Sequence, residues 1–243
     1  MTVKELIRPL PGVRQLSLLR QRIGFHGSAQ YWERNYARGR TSGQGSYDAL
    51  AEAKAGFLND FVRAHDVRSV IEFGCGDGNQ LSLADYPSYI GLDISRSALE
   101  LCQRRFAGDP AKSFFLYDGA CFADRARLFT ADLTISLDVI YHLTEDVVFD
   151  DYMTHLFAAG TRYVIIYATN REFSGTAPHV RHRHFTRWAE VHGQGWRLAQ
   201  VTPGPNPVPD RADFFTYERI IPAGDEDHVV NGPEVTIAIT KSI

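Results

Sequence analysis

The segment that most constrains the fold is a short apolar run that opens into a glycine-rich turn. It reads Val-Ile-Glu-Phe-Gly-Cys-Gly-Asp-Gly over residues 70–78. A buried strand that feeds such a turn is typical of a nucleotide pocket in an open α/β sheet, because glycine lets the backbone bend sharply beside a ligand. A dinucleotide fingerprint requires a further glycine where this chain has Asn79. Glu72 would also repel a pyrophosphate, so the turn favours a different ligand.

The residues after this turn alternate between strand and helix patterns. Five strands are predicted at 69–74, 89–94, 113–118, 131–138 and 162–168, with helices at about 79–84, 95–106, 121–128 and 145–159. This alternation indicates an α/β fold with a doubly wound, mostly parallel sheet and right-handed crossovers. A helix near 186–192 and strands at 196–202 and 213–221 follow, joined by a proline-rich loop that predicts an antiparallel hairpin. The result is a seven-stranded, Rossmann-like sheet, and the alternating tail 234–240 indicates one more strand at an edge.

Carboxylates stand where the predicted strands end, which is where ligands bind in such a sheet. Asp93 ends the second strand and can accept hydrogen bonds from both hydroxyls of a ribose. Asp118 ends the third strand and could accept from an adenine amino group. Asp138 ends the fourth strand. Each acid taken alone is also typical of a helix cap or a turn.

Residues 70–78 together with these acids resemble the class I S-adenosylmethionine-dependent methyltransferases. The first motif of that family reads roughly apolar-Glu/Asp-x-Gly-x-Gly-x-Gly, and this chain matches it throughout. The resemblance covers about residues 65–170. Residues 31–46 and 179–188 resemble, more loosely, a group of bacterial methyltransferases that are often encoded with glycan or secondary-metabolite genes.

The resemblance implies S-adenosyl-L-methionine as cofactor, with Asp93 on the ribose and Asp118 on the adenine. It also implies that Asp138 and the residues around it lie beneath the methionine part of the cofactor, beside the transferred methyl group. The residues assigned to the cofactor on this basis are Glu72, Gly74, Cys75, Gly76, Gly78, Asn79, Gln80, Asp93, Ile94, Asp118, Gly119, Leu137 and Asp138.

Two places offer side chains for the chemical step. Asp138 and His142 are one helical turn apart and are predicted at the pocket mouth, with Tyr141 beside them on the acceptor side. The alternative for His142 is a histidine that is simply packed beneath the sheet edge.

The second place is a run of histidines and arginines after the fifth strand. His182 is predicted as a catalytic base, while His179, Arg181 and Arg183 are predicted to bind an anionic or sugar acceptor. A metal site and a solvated basic loop are the alternatives. No metal is assigned, because no carboxylate pair or cysteine motif lies nearby.

The amino-terminal residues 1–46 are predicted to form a helical extension and lid, and residues 47–243 the methyltransferase domain. Tyr31 and Tyr36 are aromatic residues ahead of a glycine-containing loop, and they are predicted to contact the substrate and seal the pocket from water. The alternative is a plain packing helix.

Composition limits the partners. The net charge of −3 and the sequence pI of about 6.3 provide no general basic field, so no nucleic-acid partner is expected. No apolar run reaches the roughly 20 residues that span a bilayer, so no membrane partner is expected either. An odd number of cysteines without metal spacing indicates reduced thiols and a cytoplasmic location.

The function predicted from the sequence is that of a methyltransferase acting on oxygen in a small molecule or sugar, in glycan or secondary-metabolite biosynthesis. The alternatives are an NAD-dependent oxidoreductase or epimerase, disfavoured by Asn79, Glu72 and the lack of a Tyr-x-x-x-Lys pair, and a non-catalytic nucleotide-binding module. The acceptor, the methylated element and the oligomeric state stay open.

Overall fold

A seven-stranded sheet forms the centre of the molecule in a computed structural model that describes residues 25–174, 177–205 and 212–220. Its strand order is β3-β2-β1-β4-β5-β9-β8. The bounds are β1 Val70–Phe73, β2 Tyr89–Asp93, β3 Lys112–Leu116, β4 Ala131–Leu137, β5 Gly160–Ala168, β8 Trp196–Thr202 and β9 Asp213–Arg219. The first five strands are parallel, and β9 pairs antiparallel with both β5 and β8. The predicted doubly wound sheet with an antiparallel carboxyl-terminal hairpin is confirmed.

Helices cover the sheet, and a small hairpin lies near its ligand-binding edge. Their bounds are α1 Ser28–Ala37, α2 Asp48–Ala64, α3 Arg96–Arg105, α4 Asp146–Ala159 and α5 Phe185–His192, with the hairpin of β6 Phe173–Ser174 and β7 Arg181–His182 between β5 and α5. The strand order reverses between β1 and β4, and a crevice opens there at the carboxyl ends of the strands. No helix of the described residues is long and apolar enough to cross a membrane.

Two predicted helices are absent or shortened in this structure. Residues 121–128 form turns rather than a helix, and the predicted helix 79–84 is reduced to one 3-10 turn at Leu81–Leu83. Asp124 explains the first case, because its carboxylate accepts hydrogen bonds from the backbone N–H groups of Leu128 and Phe129. Such local bonds satisfy the backbone without a helix. The helix predicted in residues 1–24 and the strand predicted at 234–240 lie outside the described residues.

The buried face of α2 carries one charged residue. Ala51, Lys54, Ala55, Leu58 and Val62 are its buried positions, and they follow the spacing of a single helix face. A lysine on an otherwise apolar face is unusual, because burial of an ammonium is costly unless it is paired. Its partner lies at the end of β4, in the site described next.

Candidate active site

The glycine turn after β1 has the backbone geometry that its sequence predicts. Gly74, Gly76 and Gly78 have φ values of +80°, +58° and +73°, a region that other residues rarely adopt. Space is limiting as well. A Cβ atom on Gly74 would lie 2.5 Å from a Val139 methyl carbon, and one on Gly76 would lie 2.4 Å from Ser42 Oγ. The turn is therefore closely packed between the residues after β4 and the amino-terminal segment.

Asp93 connects this turn to the start of α3. Its buried carboxylate accepts hydrogen bonds from the backbone N–H of Gly76 and of Ser95, each at 2.8 Å. Burial raises the pKa of Asp93 to about 6, and the two backbone hydrogen bonds oppose that rise. Ser95 caps α3 by accepting from the Ala98 N–H, as its sequence position predicts. Asp93 thus stabilises the glycine turn by hydrogen bonds, and its side chain lies at the crevice.

A cavity of about 280 Å³ lies above the turn, along the carboxyl ends of β1, β2, β3 and β4. Many of the residues assigned to the cofactor or the chemical step from sequence line it, together with Tyr36: Glu72, Gly74, Cys75, Gly76, Gln80, Asp93, Ile94, Asp118, Gly119, Leu137, Asp138 and His142. Gly78, Asn79, Tyr31, Tyr141 and His179 do not line it but lie in the turn or in the packing around it. The strand order puts Asp118 and Asp138 at opposite ends of the cavity.

Helix α1, the predicted lid, is attached to the start of α3 through Glu33. The Glu33 carboxylate accepts from the hydroxyls of Ser95 at 2.7 Å and Ser97 at 2.6 Å, and from the Ser97 N–H at 3.2 Å. The hydrogen bond from the Ser97 hydroxyl is the main cause that holds the pKa of Glu33 below its ordinary value. At the other end of α1, the Ser28 N–H donates to the Glu145 carboxylate at 2.9 Å.

The loop after the lid helix is fastened to the glycine turn through Asp77. Its buried carboxylate accepts from the Ser42 N–H at 3.0 Å and the Tyr47 hydroxyl at 2.8 Å. In return, the Asp77 N–H donates to Ser42 Oγ at 3.1 Å, and the Asn79 amide donates to the Ser46 carbonyl at 2.8 Å. The loop after α1 and the glycine turn therefore form one hydrogen-bonded unit.

Gln80 provides a test of whether the cavity fits an aminoacyl ligand. Its side-chain amide donates to the Ala51 carbonyl at 3.0 Å, so its NH₂ group must face that carbonyl. Its Oε1 atom is buried and has no hydrogen-bond partner among the described residues, and Gln80 is one of the residues that line the cavity. A buried acceptor without a partner costs about 1–3 kcal/mol. An ammonium on a ligand in the cavity would satisfy it, and the α-amino group of S-adenosylmethionine is such a donor.

Glu72 lies on β1 beneath the turn. Its carboxyl group is buried and accepts from the Tyr89 hydroxyl at 2.6 Å. Burial raises the pKa of Glu72 to about 7, against the lowering effects of the Tyr89 hydrogen bond and the Lys54 charge. Glu72 therefore gives up its proton only near neutral pH.

Asp138 follows β4 in a left-handed backbone conformation, with φ at +60°. One carboxylate oxygen accepts from Lys54 Nζ at 2.7 Å, and the other accepts from the Tyr141 hydroxyl at 2.9 Å. Lys54 was not predicted from the sequence. The signal that could have found it is its place among the apolar residues of one face of α2.

His142 is held in one tautomer by a backbone carbonyl. Its Nδ1 atom lies 3.0 Å from the His179 oxygen, and because a carbonyl only accepts, Nδ1 carries the proton and Nε2 carries the lone pair. Burial lowers the pKa of His142 to about 4, against the opposing effect of that hydrogen bond. The ring packs edge-to-face on Trp32 of the lid, at a centroid distance of 4.8 Å. His142 is thus a neutral acceptor on the cavity wall.

His179 links the lid to His142. Its ring stacks on Tyr31 at 4.1 Å between centroids, and its Nε2 lies 3.2 Å from the Tyr31 hydroxyl. Tyr36 lines the cavity, and its hydroxyl lies 3.0 Å from Ser42 Oγ. The predicted lid aromatics therefore pack around the site, while their contact with an acceptor stays a prediction.

The structure does not bring Arg181, Arg183 or His182 to the cavity. The guanidinium groups of Arg181 and Arg183 both bind Asp146 at the start of α4, at 2.7 and 3.0 Å. Both also donate to the Thr144 carbonyl, which ties the small hairpin to α4. His182 Nδ1 contacts the Thr169 hydroxyl. These contacts give Arg181 and Arg183 a structural role between the small hairpin and α4, while the acceptor and catalytic roles of the three residues stay predictions. Among the described residues no cluster of three metal-ligating side chains is found.

Comparisons with known proteins identify what this chain is similar to. No family model matches it. It is 30% identical to a small RNA 2'-O-methyltransferase of Arabidopsis thaliana over 51% of this chain and 14% of the relative. It is 29% identical to the small RNA 2'-O-methyltransferase of Mus musculus over 58% of this chain and 40% of the relative. The chain therefore spans well under half the length of the curated relatives that it matches.

Solved structures carry the same fold. The methyltransferase domain of bacterial CtHen1 superposes with a TM-score of 0.55 at 21% identity, covering 70% of this chain and 98% of that domain. The N-methyltransferase NodS from Bradyrhizobium japonicum, in complex with S-adenosyl-L-homocysteine, superposes with a TM-score of 0.63 at 13% identity, covering 79% of this chain and 98% of NodS. The chain has the fold of the class I methyltransferases, and the resemblance inferred from residues 70–78 is confirmed.

These relatives correct one expectation. The sequence-based exclusion of nucleic acid as a partner is wrong, because the curated relatives are named for methylation of small RNA. Net charge reports only a bulk field, and it does not exclude local contacts with a nucleic acid.

Proposed function

We propose that this chain is an S-adenosylmethionine-dependent methyltransferase that methylates a hydroxyl oxygen of a sugar. The observation that carries the proposal is the continuous cavity that begins at Asp118 and Asp93, passes the glycine turn and ends at Asp138 and His142 beneath the lid. Along the cavity, the lining residues succeed one another in the order of the adenine, ribose and methionine parts of the cofactor. The methyltransferase names of the relatives support the same reading.

The residues around the cavity would hold the cofactor by its polar groups. Asp93 would accept from the ribose hydroxyls, Asp118 from the adenine amino group, and Gln80 Oε1 from the ammonium of the methionine part. When bound, the cofactor supplies an activated methyl group on a sulfonium. Trp32 and Tyr36 of the lid would exclude water from that group.

His142 is the residue proposed to take the proton of the acceptor. A hydroxyl oxygen attacks more readily as its proton moves to a base, and positioned bases typically contribute about 10²- to 10⁴-fold. The lone pair on Nε2 is available at ordinary pH, because the pKa of His142 lies near 4 and Nδ1 donates to His179. The imidazolium that forms would be short-lived in this buried position and would pass its proton to solvent.

The acceptor is proposed to be a sugar hydroxyl because two independent arguments meet there. The looser resemblance of residues 31–46 and 179–188 is to bacterial methyltransferases that are often encoded with glycan or secondary-metabolite genes, and a glycan acceptor would present sugar hydroxyls. The curated relatives are named for the 2'-oxygen of small RNA, which is a ribose hydroxyl. A terminal ribonucleotide and a saccharide share that chemistry. The cytoplasmic location and the division at residues 46 and 47 remain predictions.

Two experiments test the proposal. Bound ligand raises thermal stability by mass action, so S-adenosylhomocysteine should stabilise the protein and NAD should not. Equal stabilisation by NAD would favour the oxidoreductase alternative and overturn the proposal.

The second experiment measures S-adenosylhomocysteine release with defined acceptors. An oligoribonucleotide with a free terminal ribose, its 2'-deoxy-terminated counterpart and a set of saccharides separate the acceptor classes. Turnover that needs a sugar hydroxyl supports the proposal. Cofactor binding without turnover on any hydroxyl acceptor would favour the non-catalytic module, and turnover only on amines would overturn oxygen as the methylated atom.

A further inference from the structure

A buried ammonium lies at the methyl-transfer end of the cavity and has no part in the mechanism given so far. The Lys54 side chain is 1% exposed, and its Nζ atom lies 2.7 Å from Asp138 Oδ2. It also lies over the Tyr167 ring, 5.2 Å from the centroid. Its charge acts on Glu72 as well, since it lowers the pKa of that carboxyl.

Packing alone does not account for a lysine at this position. Desolvation of an ion pair costs as much as the pair returns in many proteins, and replacement by apolar residues of similar volume is often neutral or stabilising. The neighbours of Lys54 on this face of α2 are the apolar residues Ala51, Ala55 and Leu58. A methionine would fill the same space without the cost of burying a charge.

The pair instead fixes an otherwise unfavourable backbone turn. Asp138 has φ at +60°, a conformation that costs on the order of 1–3 kcal/mol outside glycine and persists only where the surroundings enforce it. Lys54 binds one oxygen of its carboxylate and Tyr141 binds the other, while the Asp138 N–H donates to the Tyr167 carbonyl at 3.0 Å. The 3-10 turn Ile140–His142 follows at once. His142 therefore owes its place on the cavity wall to the turn that this carboxylate organises.

We propose that Lys54 is a positioning residue for methyl transfer, which holds the turn at Asp138 so that His142 faces the acceptor. The ammonium also cancels the carboxylate charge beside the acceptor, so that this end of the cavity suits a neutral hydroxyl rather than a cationic amine. This inference rests on the proposed function of His142 as the base.

The test is a charge-removal cycle on the full-length chain. Lys54→Met and Lys54→Met/Asp138→Asn are compared with the wild type in kcat, KM and S-adenosylhomocysteine affinity, with a sugar acceptor identified by the release assay proposed above. Lys112→Met is the matched control, because Lys112 is also a largely buried lysine paired to an aspartate, Asp109, and lies outside the cavity. Proton NMR of the His142 ring reports the turn without any turnover.

We expect Lys54→Met to lower kcat by about 10²-fold, the size of effect that a small misplacement of a reacting group produces, while KM and S-adenosylhomocysteine affinity change by less than about threefold. The double variant should recover thermal stability, because no unpaired carboxylate is left, but should keep the low kcat. The His142 resonances should shift in both variants and stay unchanged in Lys112→Met.

Recovery of wild-type kcat in the double variant would overturn the proposal, since the pair would then serve packing alone. Should Lys54→Met fail to fold, the double variant decides by the same criterion. An inactive wild type that also fails to bind S-adenosylhomocysteine would defeat the proposed function. In that case unchanged His142 resonances in the double variant would separately defeat the positioning role.

Discussion

The three carboxyl groups along the cavity at β1, β2 and the end of β4 have different hydrogen-bond partners. Glu72 accepts from a tyrosine hydroxyl, Asp93 from two backbone N–H groups, and Asp138 from an ammonium and a hydroxyl. Burial raises the pKa of Glu72 to about 7 and that of Asp93 to about 6. The charges that Glu72 and Asp93 present to a ligand therefore depend on pH in different ranges.

The raised pKa of Asp93 predicts a pH dependence of cofactor binding. Ribose hydroxyls donate best to the carboxylate, so binding should release the Asp93 proton, and the dissociation constant of S-adenosylhomocysteine should rise as pH falls below about 6. The rise should approach about tenfold per pH unit in the acid limb. Calorimetry between pH 5 and 8 measures it. In Asp93→Asn the step near pH 6 should vanish, and a step that persists there would assign the titration to another group.

In the ligand-free protein, the raised pKa of Asp93 makes folding stability fall as pH rises, whereas cofactor affinity is expected to increase with pH. The folded-state pKa of Asp93, about 6, lies above the ordinary value of 3.8, so the folded state binds more protons between these values. Stability from Asp93 is therefore present below about pH 4 and is lost as pH rises to about 6. His142 opposes it in this window, because its lowered pKa of about 4 removes stability as pH falls. Thermal denaturation of wild type against Asp93→Asn isolates the first contribution.

Gln80 gives a second prediction at this scale. Gln80→Leu removes the buried acceptor Oε1, so S-adenosylhomocysteine should bind about 10- to 100-fold more weakly, as expected for loss of a hydrogen bond to a charged group. An adenosine thioether that lacks the amino-acid part is the control ligand, and its affinity should not change. Equal losses for both ligands would mean that the substitution deforms the turn.

Sequence reasoning found residues that stand at fixed intervals from a predicted strand. It missed residues whose roles depend on partners far away in the sequence. Asp93 and Gly76 stand at fixed intervals after a strand, so the pattern that finds the strand finds them. Asp77 and Lys54 take their roles from Ser42 and Asp138, which are 35 and 84 positions away in the chain. The partner of Arg183 was missed for the same reason, because a cationic run gives no sign that Asp146 will bind it.

The lid helix α1 is an element whose position depends on polar contacts at its ends and one side. Glu33 binds the start of α3, Glu145 binds the Ser28 N–H, and Asp77 binds the loop that follows. Each is a carboxylate that accepts from N–H or hydroxyl groups, and such bonds break and reform more readily than a packed apolar interface. We therefore expect these polar contacts to open when the cofactor exchanges.

Loss of one contact should speed that exchange. Glu33→Ala removes three hydrogen bonds between α1 and the start of α3, so S-adenosylhomocysteine should dissociate about tenfold faster or more. Stopped-flow displacement measures the rate, and hydrogen exchange at residues 28–37 should rise in parallel. Arg38→Ala, an exposed residue just after the same helix, is the control. An unchanged dissociation rate in Glu33→Ala would mean that the lid does not limit release.

At the scale of elements, the sequence predicted the strands and helices whose positions depend on hydrophobic periodicity. Every predicted strand within the described residues is present within a few positions. The clearest cases are β1 and the second half of β5, which are continuously buried and largely apolar. The helix predicted at 121–128 failed because local polar bonds competed with it. Arg127 there adopts φ at +55°, which no helix allows. Side-chain hydrogen bonds of this kind leave little trace in hydrophobic periodicity.

At the scale of the whole molecule, the net charge led to the wrong exclusion of nucleic acid as a partner. A net charge of −3 argues against binding along a polyanion, and the curated relatives nevertheless are named for methylation of small RNA. The net charge is compatible with an RNA acceptor if only the end of the RNA strand is bound. The cavity of about 280 Å³ beneath the lid has room for reacting groups and not for a duplex.

An oligoribonucleotide acceptor should therefore be recognised at its terminus, with few phosphate contacts. For a single strand, the slope of log affinity against log salt is about −0.7 for each neutralised phosphate, and contact with about one to three phosphates predicts a slope between about −0.7 and −2. KM should also stop changing once the acceptor exceeds a few nucleotides, since recognition at the terminus leaves the remaining phosphates without contacts. Steady-state assays across salt concentration and acceptor length check both statements, with a terminally 2'-deoxy strand as the unreactive competitor. A steep slope with affinity that keeps rising with length would instead place an extended RNA-binding surface on this acidic chain, and the terminal mode of recognition would be wrong.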